Sequence, residues 1–295
     1  MNGVLVVDKP EGPTSHDVVS RARRALAVSA IGHTGTLDPM ATGVLVLVLG
    51  RATRLARFMT GHEKAYEATF RLGVSTDTWD RTGRPAARPA PTAALPGAEA
   101  VTRELASFLG AHEQRPPRFS AKKVDGVRAH VLARRGADAD LAANTVELLA
   151  LEVVRVAMPL VDVRLRCSAG YYVRALAHDL GERLRCGACL ERLRRTAAGP
   201  FTTAQAVGLD ALEGDRTTAL GALIPPEALL AEFPALILSE DEVRRVRHGN
   251  DIRPMPGPAP GGAPAVRLLG PDGRLLAVAR PGAAPGVLHP SVVLG

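Results

Sequence analysis

The chain opens on an unbroken apolar run, "GVLVV" (residues 3–7), closed by Asp8, Lys9 and Pro10. Its length and β-branching predict a buried strand that the proline ends. In "TSHDVVSRARRAL" the apolar positions Val18, Val19, Ala22 and Leu26 recur at helical spacing, and Thr14 or Ser15 stands where an N-cap belongs. "GVLVLVLG" (residues 43–50) predicts a second buried strand, far too short to span a membrane. "YEATFRLG" alternates cleanly: Tyr66, Ala68, Phe70 and Leu72 share one face, and Glu67, Thr69 and Arg71 the other. That is the pattern of a half-buried, antiparallel strand. "VDVRLRCSAG" repeats it, with Val161, Val163, Leu165 and Cys167 inward. Helices are predicted from about Thr102 to Leu109 and about Ala129 to Arg135. A third covers "YYVRALAHDLGERL", with a stripe of Val173, Leu176, Ala177, Leu180 and Leu184.

Between these elements lie segments with little folding drive. "STDTWDRTGRP" reads as a polar loop and "RPAARPAPTAALPG" as a spacer. After about residue 232 the pattern changes to a short strand, a helix, a Pro/Gly-rich loop ("PMPGPAPGGAP") and a hairpin turning at Asp272-Gly273. Two domains are therefore expected. Residues 1–232 would form a mixed α/β (α+β) domain on a central, largely antiparallel sheet with flanking helices. Residues 233–295 would form a small β-barrel-like module, long enough to fold on its own. No repeat of solenoid period occurs.

Composition narrows the class. Hydrophobic residues make up 46% of the 295, enough for a proper core, but aromatics only 3%, so Val, Leu and Ala must build it. Abundant Ala, Arg, Gly and Pro match a GC-rich coding bias, so single Ala and Arg residues carry little signal. A net charge of +7 favours a polyanionic partner, nucleic acid first. The charge clusters: residues 112–136 hold seven Lys or Arg and two acids, in a stretch read as a protruding loop and a short helix. Three cysteines argue against a disulfide framework and for a reducing compartment. Cys186-Gly-Ala-Cys189 has metal-pair spacing, but no second pair completes a four-ligand set, so these are read as ordinary buried thiols and no metal is expected. The first residues lack a signal h-region, so a cytoplasmic protein is expected.

Four features carry possible chemistry: Asp38 in "HTGTLDPMATG", Tyr66 on its strand, Arg174 at a strand-to-helix junction, and the basic segment. Each has a plainer reading. Asp38 beside Pro39 is common turn chemistry. A core tyrosine usually keeps its hydroxyl at a rim, and an arginine pairs with any nearby acid for little gain.

Together the blocks "GVLVVDKPEGPTSHDVV", "GHTGTLDPMATGVLVLVLGRATRL", "YEATFRLGVSTDTWDRTG", "PPRFSAKKVDGVRAHVLARRG" and "CSAGYYVRALAHDLGERL" resemble the successive signatures of the TruB family, the bacterial tRNA pseudouridine-55 synthases. The tail from about Phe233 resembles the PUA-type RNA-binding module that ends many of them. The resemblance implies isomerisation of a uridine in the T-arm loop of tRNA to pseudouridine, with tRNA as partner, a monomer, and no cofactor. By that resemblance Asp38 is the carboxylate acting at C1′ of the ribose, either as nucleophile or in elimination. Arg174 holds it charged and aimed. Tyr66 stacks under the uracil, and its phenol is a poor base at neutral pH unless perturbed. His33 occupies the space a turned-out base leaves or stacks in the RNA loop. Lys122, Lys123 and Arg128 clamp the RNA, and Lys9, Tyr172 and Leu193 line the pocket. Three departures stand out: His130 where the family has tyrosine, Tyr171 where a smaller residue is common, and the Pro/Gly-rich insertion in the tail. Two other readings remain open at this stage. One is a catalytically silent tRNA-binding and folding helper; the other is a carboxylate enzyme acting on a small molecule.

Overall fold

The computed structural model describes residues 1–85, 95–120, 122–124, 126–134, 141–254 and 263–295. Most of the Pro/Ala spacer, most of the Pro/Gly-rich loop, and the side chains of Lys123, Arg128 and His130 lie outside the described residues. The first elements are β1 (Gly3–Lys9), α1 (Ser15–Leu26), β2 (Ile31–His33), β3 (Thr42–Leu49), α2 (Ala56–Met59), β4 (Lys64–Leu72), α3 (Ala98–Ala106) and β5 (Gly110–Gln114). Next come β6 (Lys123–Val124), β7 (Val127–Arg128), α4 (Ala129–Arg134), β8 (Asn144–Ala157), β9 (Leu160–Cys167), α5 (Val173–Arg183) and β10 (Ala188–Ala198). The chain ends with β11 (Phe201–Thr202), β12 (Val207–Gly208), α6 (Leu209–Gly214), α7 (Arg216–Gly221), β13 (Ala235–Ile237), α8 (Glu240–Arg247), β14 (Val266–Leu269), β15 (Leu275–Pro281) and β16 (Leu288–Val293).

Among the described residues the main sheet runs β12-β1-β3-β10-β4-β9-β8-β5, with β2 beside β3 and β11 beside β10. Its pairs are antiparallel except β1–β12 and β3–β10. The two all-apolar strands explain themselves by their two faces. Leu5, Val7, Leu45, Leu47 and Leu49 face one core, with α1 and α5; Val4, Val6, Val44, Val46 and Val48 face a second. Each such side chain, fully buried, contributes about 1.5–3 kcal/mol. Helix α1 begins at Thr14, whose hydroxyl accepts from Asp17 N while Asp17 caps back, and it buries the stripe expected of it.

The third helix starts at Ala98 rather than Thr102, because Gly97 frees the first turn and Val101 and Leu105 are its buried positions. Strands β8 and β10 carry no clean period of two in the sequence. Register shifts break the alternation at Leu148/Ala150 and Val153/Arg155 in one, and at Leu190/Arg192 and Arg195/Ala197 in the other.

The C-terminal strands form a four-stranded sheet, β13-β14-β15-β16, that is open rather than closed into a barrel among the described residues. Packing covers its faces where closure would otherwise be needed. Helix α8 covers one through Val243 and Val246; the second core covers the other, where Leu275, Val278, Val292 and Leu294 meet the valines of β1 and β3. Arg51, Arg54 and Arg57 donate to the carbonyls of Leu294, Val293 and Ser291 across the same junction. No helix among the described residues is long and apolar enough to cross a membrane.

Candidate active site

The loop from His33 to Gly43 is held from every side, and that explains its composition. Asp38 O accepts from Ala41 N at 3.0 Å, so the turn reading is correct as far as the backbone goes. The remaining carbonyls are taken by residues far off in sequence. Lys9 Nζ donates to Pro39 O (3.2 Å), Ala41 O (2.7 Å) and its neighbour Pro10 O (2.8 Å), while Gly12 N also reaches Pro39 O. Arg195 Nη2 donates to Gly35 O (3.0 Å), Nη1 to Thr36 O (3.3 Å) and Nε to Val44 O (2.7 Å). Ser15 Oγ accepts from Leu37 N and donates to Leu37 O. Gly43 closes the loop at φ +99°, where a side chain would meet Arg195 O at 2.2 Å. A glycine there lets β3 and β10 pair in parallel.

Arg174 meets this loop from the first turn of α5. Its Nε lies 2.9 Å from Asp38 Oδ2 and its Nη2 donates to Asp38 Oδ1 at 3.1 Å, a two-toothed pair. The other donors are also occupied: Nη2 donates to Phe119 O and Nη1 to Thr78 O, each at 2.9 Å. Asp80 Oδ2 lies 3.6 Å from Nη1. Asp80 itself is fixed, since Oδ1 accepts from Thr78 Oγ1, Thr82 N and Thr82 Oγ1. The guanidinium is thus buried (5% exposed) between two carboxylates, yet Asp38 keeps 32% of its side chain exposed. An aimed carboxylate with an open flank can meet a bound substrate.

Lys9, Tyr66 and Tyr172 all lie within electrostatic reach of Asp38. Burial lowers the Lys9 ammonium to about 8, with Asp38 and Glu11 opposing the fall. Burial raises the Tyr66 phenol, against the pull of the nearby Arg195 guanidinium. Tyr66 therefore holds its proton tightly at neutral pH, with too little phenolate present to act as a base, and its useful feature is its ring. Burial likewise raises Tyr172, with the Ser120 hydroxyl and Arg174 opposing. The backbone of Tyr172 is clamped by Gln114, which donates Nε2–H to its carbonyl (3.0 Å) and accepts its N–H (2.8 Å). Leu193 sits opposite Ala68 in the β10–β4 register, buried in the same core as Tyr66.

Two other expected contacts fall further from the carboxylate. His33 ends β2, half-buried, five residues before Asp38. Lys122 is turned to its own fold: Nζ donates to Asn144 Oδ1 (2.8 Å) and Ala142 O (3.1 Å), tying the basic segment to the start of β8. Lys123 and Arg128 pair across the short β6–β7 hairpin. Cys186 and Cys189 are free and buried, and burial pushes the Cys189 thiol up to about 11, leaving it protonated. Tyr171 packs edge-on against His112 at 5.7 Å, so the larger residue fills core space.

Sequence reasoning overlooked Arg195, Asp80 and Gln114. Arg195 was masked by the arginine-rich background, and Asp80 by its polar loop. Gln114, just before "RPP", carried no signal of its own.

Comparison with known proteins places the chain. The model of the TruB family pseudouridylate synthase N-terminal domain matches residues 23–173, and that of the tRNA pseudouridylate synthase B C-terminal domain matches residues 174–230. The chain belongs to the TruB family. Among its relatives, the tRNA pseudouridine synthase B of Solibacter usitatus is 41% identical over the whole of both chains. That of Thermobifida fusca is 45% identical over 94% of each. In structure the chain resembles a chain of a Cbf5–Nop10–Gar1 complex, with a TM-score of 0.73 at 25% identity, covering 99% of this chain and 85% of that one.

Proposed function

We infer that this chain isomerises a uridine of tRNA to pseudouridine, at position 55 in the T-arm loop. The N1–C1′ bond breaks, the uracil turns, and a C5–C1′ bond forms; C5 gives up its proton and N1 gains one. Atoms and electrons balance without an oxidant, reductant or co-substrate. One observation carries the reading: the Asp38 carboxylate, gripped by a buried Arg174, keeps an open flank, with the buried Tyr66 within its electrostatic reach.

Each residue has a task in that scheme. Asp38 acts on C1′, and Arg174 keeps it pointed through its two-toothed contact. Tyr66 offers its face to the uracil. Lys9 holds the loop that carries Asp38, and Leu193 and Tyr172 wall the pocket. His33 fills the gap left when the uridine is turned out, which costs a few kcal/mol to unstack. Lys123 and Arg128 grip phosphates. Residues 1–232 are the catalytic unit and 233–295 a PUA-like RNA-binding module. The protein works as a monomer in the cytoplasm.

Tritium release from tRNA labelled at uridine C5 tests this. Wild type should release tritium, and Asp38→Asn should be slower by on the order of 10⁴-fold while still binding tRNA. No release from wild type removes the synthase reading and leaves a tRNA-binding helper. Equal release from both proteins removes Asp38 from the chemistry.

A further inference from the structure

The polar segment 76–83 meets Arg174 twice, through Thr78 O and Asp80 Oδ2, and Trp79 stands between those two residues. Trp79 has φ 62°, a left-handed conformation that a bulky side chain adopts at a cost. Its indole lies flat on the imidazole of His178, ring centres 4.2 Å apart and planes within 6°. His178 follows Arg174 by one helical turn on α5, so the two side chains occupy one face of the helix. The Nδ1 of His178 is buried without a hydrogen-bond partner, so what the imidazole contributes there is its face. On its other side the segment is pinned by backbone bonds, with Leu190 N donating to Trp79 O and Arg81 N to Leu190 O, each at 2.9 Å, and the Arg81 side chain pairs with Glu11.

We propose that the Trp79–His178 stack is a positioning device for Arg174, locking the carbonyl of Thr78 and the carboxylate of Asp80 in the register that aims the guanidinium at Asp38. The proposal rests on the isomerase reading above. Backbone bonds to β10 fix the height of the segment. The stack fixes its distance from α5, the helix on which Arg174 rides. Strain at Trp79 is retained because a residue without the ring would leave that distance free.

Trp79→Gly removes the ring and suits φ 62°, so the fold should survive. Single-turnover tritium release should slow about 10- to 100-fold, with KM for tRNA and the melting temperature nearly unchanged. His178→Ala should match it, and the double variant should be no slower than the slower single. His178→Phe, which keeps a flat face, should restore most of the rate. Full activity in Trp79→Gly, a loss confined to KM, or His178→Phe as slow as His178→Ala overturns the proposal. If wild type releases no tritium, the isomerase reading falls and a spectrum decides on the stack separately. The Nε–H signal of Arg174 should be single and protected in wild type but exchange-broadened in Trp79→Gly. Identical signals in both proteins overturn it.

Discussion

Two regions of this protein face the same RNA under the proposed function, and they are built in opposite ways. The Asp38 loop has its carbonyls seized by Lys9 and Arg195 and its middle pinned by Ser15, all from other elements. The stretch from Lys122 to Arg128 is held, among the described residues, by the short β6–β7 hairpin and the Lys122 tether to Asn144 and Ala142. The first arrangement fixes one carboxylate against one guanidinium, where an error of an ångström costs chemistry. The second offers positive charge, which attracts phosphates at many geometries. Precision is concentrated where a bond breaks, and the grip on the substrate is left coarse.

The sharpest way to break that contrast is Arg195→Ala. It removes the donors to two carbonyls of the Asp38 loop, Gly35 O and Thr36 O, and to Val44 O next to it, each buried acceptor costing about 1–3 kcal/mol when left unpaired. Stability should fall by several kcal/mol at most, and kcat by about 100-fold, because the loop no longer presents Asp38 at a fixed height. Urea unfolding and single-turnover tritium release measure the two effects. A variant that loses stability but keeps kcat would show that Arg174 alone suffices to aim the carboxylate.

The converse experiment is Lys123→Ala with Arg128→Ala. KM for tRNA should rise about tenfold and kcat stay level, with the salt dependence of binding shallower by up to about two phosphate contacts. Lys122→Ala should do less to affinity than either, because its ammonium already serves Asn144 and Ala142. A kcat loss in the double variant would mean that the hairpin shapes the site as well as gripping the RNA.

The same contrast governs what could be read from the sequence. Regular alternation exposed β4 and β9, and the apolar runs exposed β1 and β3, because undistorted strands print their faces directly. The glycine-proline loop around Asp38 was legible because tight backbone approach restricts residue type. Strands β8 and β10 were not legible, since their bulges shift the alternation midway. Consecutive arginines on β10 show the limit most plainly. Arg194 turns outward to a two-toothed pair with Asp8, whereas Arg195 turns inward and holds a loop about 160 positions earlier in the chain. Side by side in sequence they look alike, and only the register separates a surface ion pair from a buried support.

Lys9 gives the finest test, because it separates a failing site from a failing fold. Its ammonium bridges three carbonyls, and burial lowers it from 10.5 to about 8. Deprotonation leaves two N–H donors for those three acceptors, so the loop loosens as the pH passes about 8. The effect is modest: kcat/KM should fall about twofold by pH 8 and about tenfold by pH 9. Stability moves the other way. Between about pH 8 and 10.5 the unfolded chain holds the Lys9 proton that the folded one has released, so this group's contribution to stability rises with pH there. A pH–rate profile taken beside urea unfolding should show activity declining while the Lys9 contribution, measured against Lys9→Arg, rises. In Lys9→Arg the limb near pH 8 should vanish, whatever the absolute rate, because a guanidinium keeps its charge throughout. A wild-type profile flat to pH 9, or the same limb in both proteins, would take Lys9 out of the loop's support and leave Arg195 to hold it.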